Sequence, residues 1–328
     1  MKAKVLRTLL AGTAMTAMLA MGGMSALAQE AATEDASVEE AAEEDEENYD
    51  TGDASLDDPR NQDEIGDNEI LVVSFGTSFN DSRRLTIGAI ENAIAEAFPD
   101  WSVRRGFTAQ IIIDHVERRD GIHIDNVAEA LDRAIDNGVK NLVVQPTLLM
   151  DGLEYEELEE TLAEYADAFD QVVLGPNLLD TDEDFDRVAD IITEAMADYD
   201  DGETAIVYMG HGTEASSNGI YAKMQEILTD KGFENFYIGT VEASPSLGDV
   251  IAAMDGKGYT KVVLRPLMVV AGDHANNDMA AVDDPESWYS ILTEAGYEVT
   301  TILDGLGQLP EIQQMYVEKT QADLDSLA

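Results

Sequence analysis

Short apolar runs alternate with amphipathic segments from residue 69 to the end of the chain. Runs such as 69–74 and 141–149 are short, mostly apolar and rich in β-branched residues, which is typical of parallel strands buried on both faces. The segments between them, such as 82–98, carry an apolar residue every three or four positions, as amphipathic helices do. The alternation predicts an α/β fold of doubly wound parallel sheets. The predicted strands are 69–74, 102–107, 141–149, 171–175, 204–209, 235–240, 260–270 and 298–303, and the predicted helices are 82–98, 109–119, 125–137, 154–168, 182–198, 217–231, 245–256, 286–295 and 309–326.

The second half of this pattern repeats the first half. Aligning Gly76 with Gly212 superimposes two apolar runs that each end in a glycine turn, and Gly152 aligns with Gly272 in the same way further on. A duplication of this kind predicts two similar α/β lobes with a cleft between them. The expected boundaries are 69–200 for the N-terminal lobe and 201–328 for the C-terminal lobe.

Two histidines stand in loops that follow predicted strands. His211 lies between two glycines, and His274 aligns with Glu154 of the first half. Because ligands bind at the carboxyl ends of strands in open α/β sheets, we expect all three side chains to converge on the cleft. Two imidazoles and a carboxylate suit Fe²⁺, Co²⁺, Ni²⁺ or Zn²⁺ and are poor ligands for Mg²⁺ or Ca²⁺. Structural roles for the histidines, and a helix-dipole role for Glu154, are the alternatives.

A hydroxyl-rich turn follows the first predicted strand. Such a strand-to-helix turn can hold a carboxylate or a phosphate at the helix N-terminus. Capping of the helix by the same hydroxyl groups is an equally good interpretation. The residues of this candidate binding turn are Ser74, Phe75, Gly76, Thr77 and Ser78.

The first 68 residues follow a different pattern. A basic start, an apolar stretch and a small-residue cleavage site over 1–28 predict a secretory signal peptide, and with it export to a periplasm or the extracellular space. The acidic stretch 29–68 has almost no large apolar side chains and predicts a disordered linker. The net charge of −49 argues against nucleic acid or an anionic membrane surface as partner, and the mature chain has no predicted membrane span.

Several motifs resemble those of a known enzyme family. Ser-Phe-Gly-Thr-Ser at 74–78, Met-Gly-His-Gly at 209–212 and Leu-Met-Val-Val-Ala-Gly-Asp-His-Ala at 267–275 are similar to the anaerobic cobalt chelatases, the sirohydrochlorin cobaltochelatases among class II tetrapyrrole chelatases. The resemblance runs from about residue 69 to residue 326. It implies a bilobal chelatase-like fold and insertion of Co²⁺, or Fe²⁺, into sirohydrochlorin or a related tetrapyrrole without ATP. It also implies His211, His274 and Glu154 as metal ligands.

The resemblance also suggests roles for further residues. His211 would be the central ligand and proton acceptor, and Glu242, after the strand 235–240, would transfer protons or guide the metal, unless it only caps a helix. The turn 74–78 would line the macrocycle. An export signal is foreign to a cytosolic pathway enzyme, which keeps open an exported, non-catalytic carrier of haem, tetrapyrrole or metal. A homo-oligomer is also left open. Candidate cations for the substrate carboxylates are Arg83, Arg84, Arg104, Arg105 and Arg265.

Overall fold

Eight parallel strands form two four-stranded sheets in the computed structural model, which describes residues 51–327. The expectations for the signal peptide 1–28 and for residues 29–50 of the linker lie outside the described residues. The first sheet has the order β2-β1-β3-β4 and the second the order β6-β5-β7-β8. The strands are β1 Asn68–Ser74, β2 Ser102–Phe107, β3 Asn141–Pro146, β4 Gln171–Leu174, β5 Thr204–Gly210, β6 Phe236–Thr240, β7 Lys261–Pro266 and β8 Glu298–Thr301.

Helices connect successive strands, which confirms the predicted doubly wound α/β class. The predicted helix 82–98 is in fact two helices, because the backbone bends at Thr86 (ψ −78°). The helices are α1 Asn80–Leu85, α2 Ile87–Ala97, α3 Gln110–Asp120, α4 Val127–Asp136, α5 Leu153–Tyr165, α6 Asp182–Glu194, α7 Gly219–Asp230, α8 Leu247–Met254, α9 Trp288–Glu294 and α10 Pro310–Ser326, with a π-helical turn at Ala275–Met279. Within residues 51–327, none of these helices is long and apolar enough to cross a membrane.

The two sheets share one pairing register, which supports the duplication. Val73 of β1 pairs with Pro146 of β3, and Met209 of β5 pairs with Pro266 of β7, so the aligned prolines occupy matched positions. The next hydrogen bond also recurs: the backbone N–H after each proline donates to the carbonyl of Val73 or Met209 at 2.7 Å. The carboxyl ends of the strands therefore lie at equivalent positions in the two lobes.

Matched glycine turns follow the central strand of each sheet. Gly76 has φ +106° and Gly212 has φ +89°, a region that glycine adopts without the strain of a side chain. A Cβ at Gly76 would lie 2.6 Å from the Phe107 ring, and one at Gly212 would lie 2.8 Å from the backbone nitrogen of Ala243. Both turns are consequently fixed by conformation and by close packing.

The lobes exchange helices, which the predicted boundary did not foresee. Helix α6 packs on the second sheet, where the Tyr208 hydroxyl donates to the carbonyl of Ile192 at 2.8 Å. Helix α10 packs on the first sheet, where the Tyr316 hydroxyl donates to the carbonyl of Thr147 at 3.1 Å. The division at residue 200 therefore separates the two sheets but does not describe the helices that cover them.

Both lobes contribute to one apolar cluster. Ile90 of α2, Ile192 of α6, Tyr208 of β5 and Leu306 near the C-terminus are fully buried members of it. Since such interiors are close-packed, the exchange of helices joins the two sheets through continuous side-chain contact.

Residues 51–67 pack on the N-terminal lobe, so the prediction of a disordered linker is wrong for this part of 29–68. The side chain of Asp57 is buried between Arg83 and Arg105, and the Ser102 hydroxyl donates to the carbonyl of Ile65 at 2.8 Å. The prediction rested on the acidic composition of 29–68. Composition does not reveal that buried arginines elsewhere in the chain need carboxylate partners from this segment.

Candidate metal centre

Two imidazoles and one carboxylate meet at the carboxyl edge of the second sheet. The ligand atoms of His211, Glu242 and His274 all lie within 4.8 Å of one another. The two imidazole rings are nearly perpendicular, with 4.6 Å between their centroids. His211 and Glu242 are exposed and His274 is partly buried, so solvent reaches the cluster. The arrangement can offer one divalent cation two nitrogen ligands and one oxygen ligand.

The strand order explains why these residues meet. The central strand β5 ends just before His211, and its neighbours β6 and β7 lead to Glu242 and His274. Pairing between β5 and β6 continues past the strands, because the backbone N–H of Glu242 donates to the carbonyl of His211 at 2.9 Å. Three adjacent strand ends therefore deliver the three side chains to one place.

Hydrogen bonds fix which nitrogen of each imidazole is available. Nδ1 of His211 lies 2.7 Å from the carbonyl oxygen of Gly212, which can only accept, so Nδ1 must carry the proton. Nδ1 of His274 lies 2.7 Å from a carboxylate oxygen of Asp278. In both residues Nε2 is left as the ligand atom, with a carbonyl or a carboxylate behind the ring as in many metal sites.

The acidic surroundings favour the protonated form of His274. The hydrogen bond to Asp278 raises the pKa of His274, burial opposes the increase, and the charges of Asp278, Asp273 and Glu242 add to it. A metal ion must displace this proton, so metal binding at His274 weakens as the pH falls through the raised pKa.

Glu154, which the sequence predicted as the carboxylate ligand, does not join this cluster. Glu242 supplies the carboxylate of the cluster instead. Among residues 51–327, Glu154 belongs to no group of three ligand side chains close enough to share an ion. It lies at the start of α5, where Leu153 and Glu156 line a cavity of about 420 Å³ together with Ser217 of the second lobe. The registers of the two sheets match at Pro146 and Pro266, eight residues before Glu154 and His274, but matched positions in two lobes are not the same point in space.

The candidate binding turn uses its hydroxyl groups internally. Ser74, Thr77 and Ser78 are buried, and the Ser74 hydroxyl lies 2.6 Å from that of Thr147. The Thr77 hydroxyl accepts from the backbone N–H of Phe79 at 3.3 Å. These contacts hold the hydroxyl groups within the fold, but they do not cap α1, whose N-cap residue is Phe79 and which has no side-chain cap hydrogen bond.

Phe75 is the exposed side chain of this turn. It is 45% exposed and stands where the second lobe has His211. The equivalence extends to the backbone, because Ala109 donates its N–H to the carbonyl of Phe75 as Glu242 does to that of His211. The first lobe thus places an aromatic ring and a methyl group where the second lobe places the candidate metal ligands His211 and Glu242.

The predicted cationic contacts to substrate do not hold for four of the five arginines. Arg83, Arg104, Arg105 and Arg265 are buried, three of them in ion pairs with carboxylates of the first lobe, so they are not available to an entering carboxylate. Arg84 is partly exposed and pairs with a neighbouring aspartate. Burial of these arginines has no signal in the local sequence, because charged residues are normally at the surface.

A second cluster with metal-ligand chemistry lies in the first lobe. His123, Asp125 and Glu129 bring one ligand atom each within 4.8 Å of the others. The carboxylate of Asp125 already accepts two hydrogen bonds from Arg133, at 2.7 and 2.9 Å. Because the charge of Asp125 is neutralised by this arginine, the His211 cluster is the better metal site.

Comparison with known proteins agrees with this geometry. A family model described as cobalt chelatase (CbiK) matches residues 68–324. The chain is 36% identical over 248 residues to a sirohydrochlorin cobaltochelatase from Salmonella typhimurium, covering 76% of this chain and 93% of that protein. It is 26% identical over 260 residues to the sirohydrochlorin cobaltochelatase CbiKC from Nitratidesulfovibrio vulgaris, covering 79% of this chain and 91% of that protein.

A solved structure, SirB from Bacillus subtilis with Fe³⁺, shares the fold with a TM-score of 0.54 at 12% identity, and covers 80% of this chain and 98% of that one. On the strength of the family match and of the Salmonella relative, the chain belongs to the cobalt chelatase (CbiK) family.

Proposed function

We propose that this protein inserts Co²⁺ into sirohydrochlorin or a closely related tetrapyrrole, with His211, Glu242 and His274 as the ligands that present the ion. The observation that carries the proposal is the meeting of these three side chains at one sheet edge in a member of the CbiK family. The same ligand set suits Fe²⁺, Ni²⁺ and Zn²⁺, so a competition assay between metals is part of its test.

The reaction exchanges two pyrrole protons for one divalent ion. Nε2 of His211 and Nε2 of His274 bind the ion. In His211 the proton is held at Nδ1 by the Gly212 carbonyl, whereas His274 gives up its second proton when the ion binds and keeps Nδ1–H towards Asp278. As the ion passes to the macrocycle, the nitrogens and the Glu242 carboxylate that it leaves are bases that can accept the two displaced pyrrole protons. Binding of the ion and removal of protons then use one set of side chains in sequence.

The opposite lobe supplies the surface against which the macrocycle rests. Phe75 presents an exposed ring at the position equivalent to His211, and aromatic rings stack on flat conjugated ligands. Metal ligands on one lobe and an aromatic ring on the other would hold the tetrapyrrole between the ion and an apolar face.

The test is a turnover assay with full-length protein, sirohydrochlorin and Co²⁺, followed by absorption. We expect several turnovers per protein above the uncatalysed rate, and loss of this activity in His211→Ala. His123→Ala is the matched control, since it removes an imidazole from the other cluster, and it should retain the parental rate. A stoichiometric spectral change without turnover would instead support the exported carrier.

We also propose that the protein is exported, on the support of the signal-peptide pattern over 1–28. N-terminal sequencing of protein recovered from the exported fraction should begin near Gln29. Recovery of the full chain from the cytoplasm would contradict export.

A further inference from the structure

An ordered segment precedes the part of the chain that the family model matches. Residues 51–60, here called the N-terminal strap, lie ahead of the matched range 68–324 and cross the first lobe near the start of α1. The backbone N–H of Asp81 donates to the carbonyl of Thr51 at 2.7 Å, and the Asn80 side chain donates to the carbonyl of Gly52 at 3.2 Å. The strap thus contacts the residues that follow the candidate binding turn.

A buried carboxylate anchors the strap. The side chain of Asp57 is 2% exposed and accepts from Nε of Arg83 at 2.6 Å and from Nη1 of Arg105 at 2.7 Å. Burial would raise the pKa of Asp57, but the hydrogen bonds and charges of Arg105 and Arg83 outweigh burial and lower it. Arg105 has a second carboxylate partner, Glu91, at 2.8 Å, whereas Arg83 forms its ion pair with Asp57 and interacts with Asp120 through charge alone.

Arg83 in turn holds the candidate binding turn. Its Nη1 donates to the carbonyl of Thr77 at 3.0 Å, and its Nη2 donates to the side-chain oxygen of Asn80 at 2.6 Å. A guanidinium group stays protonated in proteins, so without Asp57 the buried charge of Arg83 would lack its carboxylate. We expect Arg83 then to shift towards solvent, which would weaken its hydrogen bond to the carbonyl of Thr77.

The turn that Arg83 holds is packed against the loop of a metal ligand. The Thr77 hydroxyl lies 3.0 Å from the position that a Cβ of Gly272 would take, and the backbone N–H of Ala271 donates to the Ser82 hydroxyl at 2.9 Å. Gly272 comes two residues before His274. Contacts therefore run without a break from the strap, through Arg83 and Thr77, to the loop that carries His274.

We infer that Asp57 is a positioning residue for the chelatase, and that the N-terminal strap holds the turn at 77–80 in the position that the cleft requires. The kinetic part of this inference rests on the proposed function. The structural part does not, because the contacts from Asp57 to Thr77 stand whatever the substrate is.

Asp57→Asn in the full-length protein tests the inference, since the amide keeps the shape of the side chain and removes its charge. Glu91→Gln is the matched control: it removes the other buried carboxylate of the same cluster, which pairs with Arg105 and with Arg60 at the end of the strap, and it leaves the pair of Asp57 and Arg83 intact. We expect both variants to melt at a lower temperature. With assays run well below both melting temperatures, Asp57→Asn should lower kcat/KM for cobalt insertion about tenfold, mostly through KM for sirohydrochlorin, because misplaced binding groups cost this much or more.

Hydrogen exchange gives a readout that does not depend on catalysis. Amides in a peptide covering 76–84 should exchange faster in Asp57→Asn and at the parental rate in Glu91→Gln. Unchanged exchange and unchanged KM in Asp57→Asn would overturn the inference, and so would equal changes in both variants, because the cluster would then act on stability alone. If the parental protein inserts no cobalt, the proposed function fails, while the exchange comparison still decides the role of Asp57.

Discussion

Replacement of Asp278 should weaken metal binding at His274. Two substitutions separate the effect of the Asp278 charge from its effect on the orientation of the His274 ring. Its carboxylate accepts from Nδ1 of His274 at 2.7 Å, so it both fixes the ring and makes Nε2 a stronger ligand. Loss of such a partner behind a metal-binding histidine costs about 10- to 100-fold in metal affinity. Asp278→Asn can still accept a hydrogen bond and should lie near the tenfold end, about 1.4 kcal/mol. Asp278→Ala leaves the ring unsupported and should lie near the hundredfold end.

The pH dependence of the two proteins should differ in a defined direction. Because Asp278 raises the pKa of His274, the parental protein begins to lose metal affinity at a higher pH than Asp278→Asn does. The difference in Co²⁺ affinity between the parental protein and Asp278→Asn is therefore greatest at alkaline pH, where His274 is neutral. This difference becomes smaller as the pH falls through the raised pKa of His274.

Competition with a coloured chelator, repeated at several pH values, measures Co²⁺ affinity for this comparison. The control is Asp283→Asn, which removes an exposed carboxylate from the segment that follows the π-helical turn. It should bind Co²⁺ as the parental protein does. Equal affinities of the parental protein, Asp278→Asn and Asp278→Ala at alkaline pH would refute the reasoning, since His274 would then not depend on Asp278 or would not bind the metal.

Three further outcomes are expected. Glu242→Gln should lower Co²⁺ affinity severely while Glu154→Gln leaves it nearly unchanged, as titration with Co²⁺ would show; the reverse order would restore the ligand set predicted from the sequence. Burial raises the pKa of Glu69 to about 7, so this group lowers stability as the pH rises from about 4.5 to 7, and melting curves of Glu69→Gln should depend less on pH over that range. Tyr316→Phe should lower the free energy of unfolding by about 1–2 kcal/mol, because the buried carbonyl of Thr147 loses its donor, and denaturant titration would detect the change.

The sheets and their strand ends were predictable because their signal is local. A buried parallel strand is a short β-branched run, and each run of this kind became a strand within a few residues of its predicted bounds. Likewise, His211 was predictable because it follows β5 directly, and His274 because it stands in the loop between the end of β7 and the next helix. The duplication then set the correct register, as the matched pairs at Pro146 and Pro266 demonstrate.

Prediction of Glu242 as the third member of the cluster would have required knowledge of which strands are neighbours in the sheet. Glu242 and His211 are neighbours because β6 lies beside β5, and nothing in either strand states which strand will be its partner. Right-handed crossovers and the order seen in related α/β sheets would have favoured this neighbour over a residue of the other lobe such as Glu154. The exchange of α6 and α10 between lobes escaped prediction for a similar reason, since the apolar face of a helix does not identify the sheet that it covers.

The buried ion pairs of the first lobe could not be predicted from the sequence for a different reason. Arg83 and Arg105 look like surface cations in the sequence, and Asp57 looks like one more acid in an acidic stretch. In the structure they neutralise one another out of contact with solvent. Because composition averages over such pairs, it predicted disorder where a specific buried contact exists.

The position of the bound metal tests the proposed site most directly. Crystals of the full-length protein loaded with Co²⁺, with diffraction recorded at the cobalt absorption edge, would locate the ion without reference to activity. We expect an anomalous peak about 2.0–2.2 Å from Nε2 of His211, Nε2 of His274 and a carboxylate oxygen of Glu242. A peak bound to His123, Asp125 and Glu129, or one that takes Glu154 in place of Glu242, would contradict the proposed site.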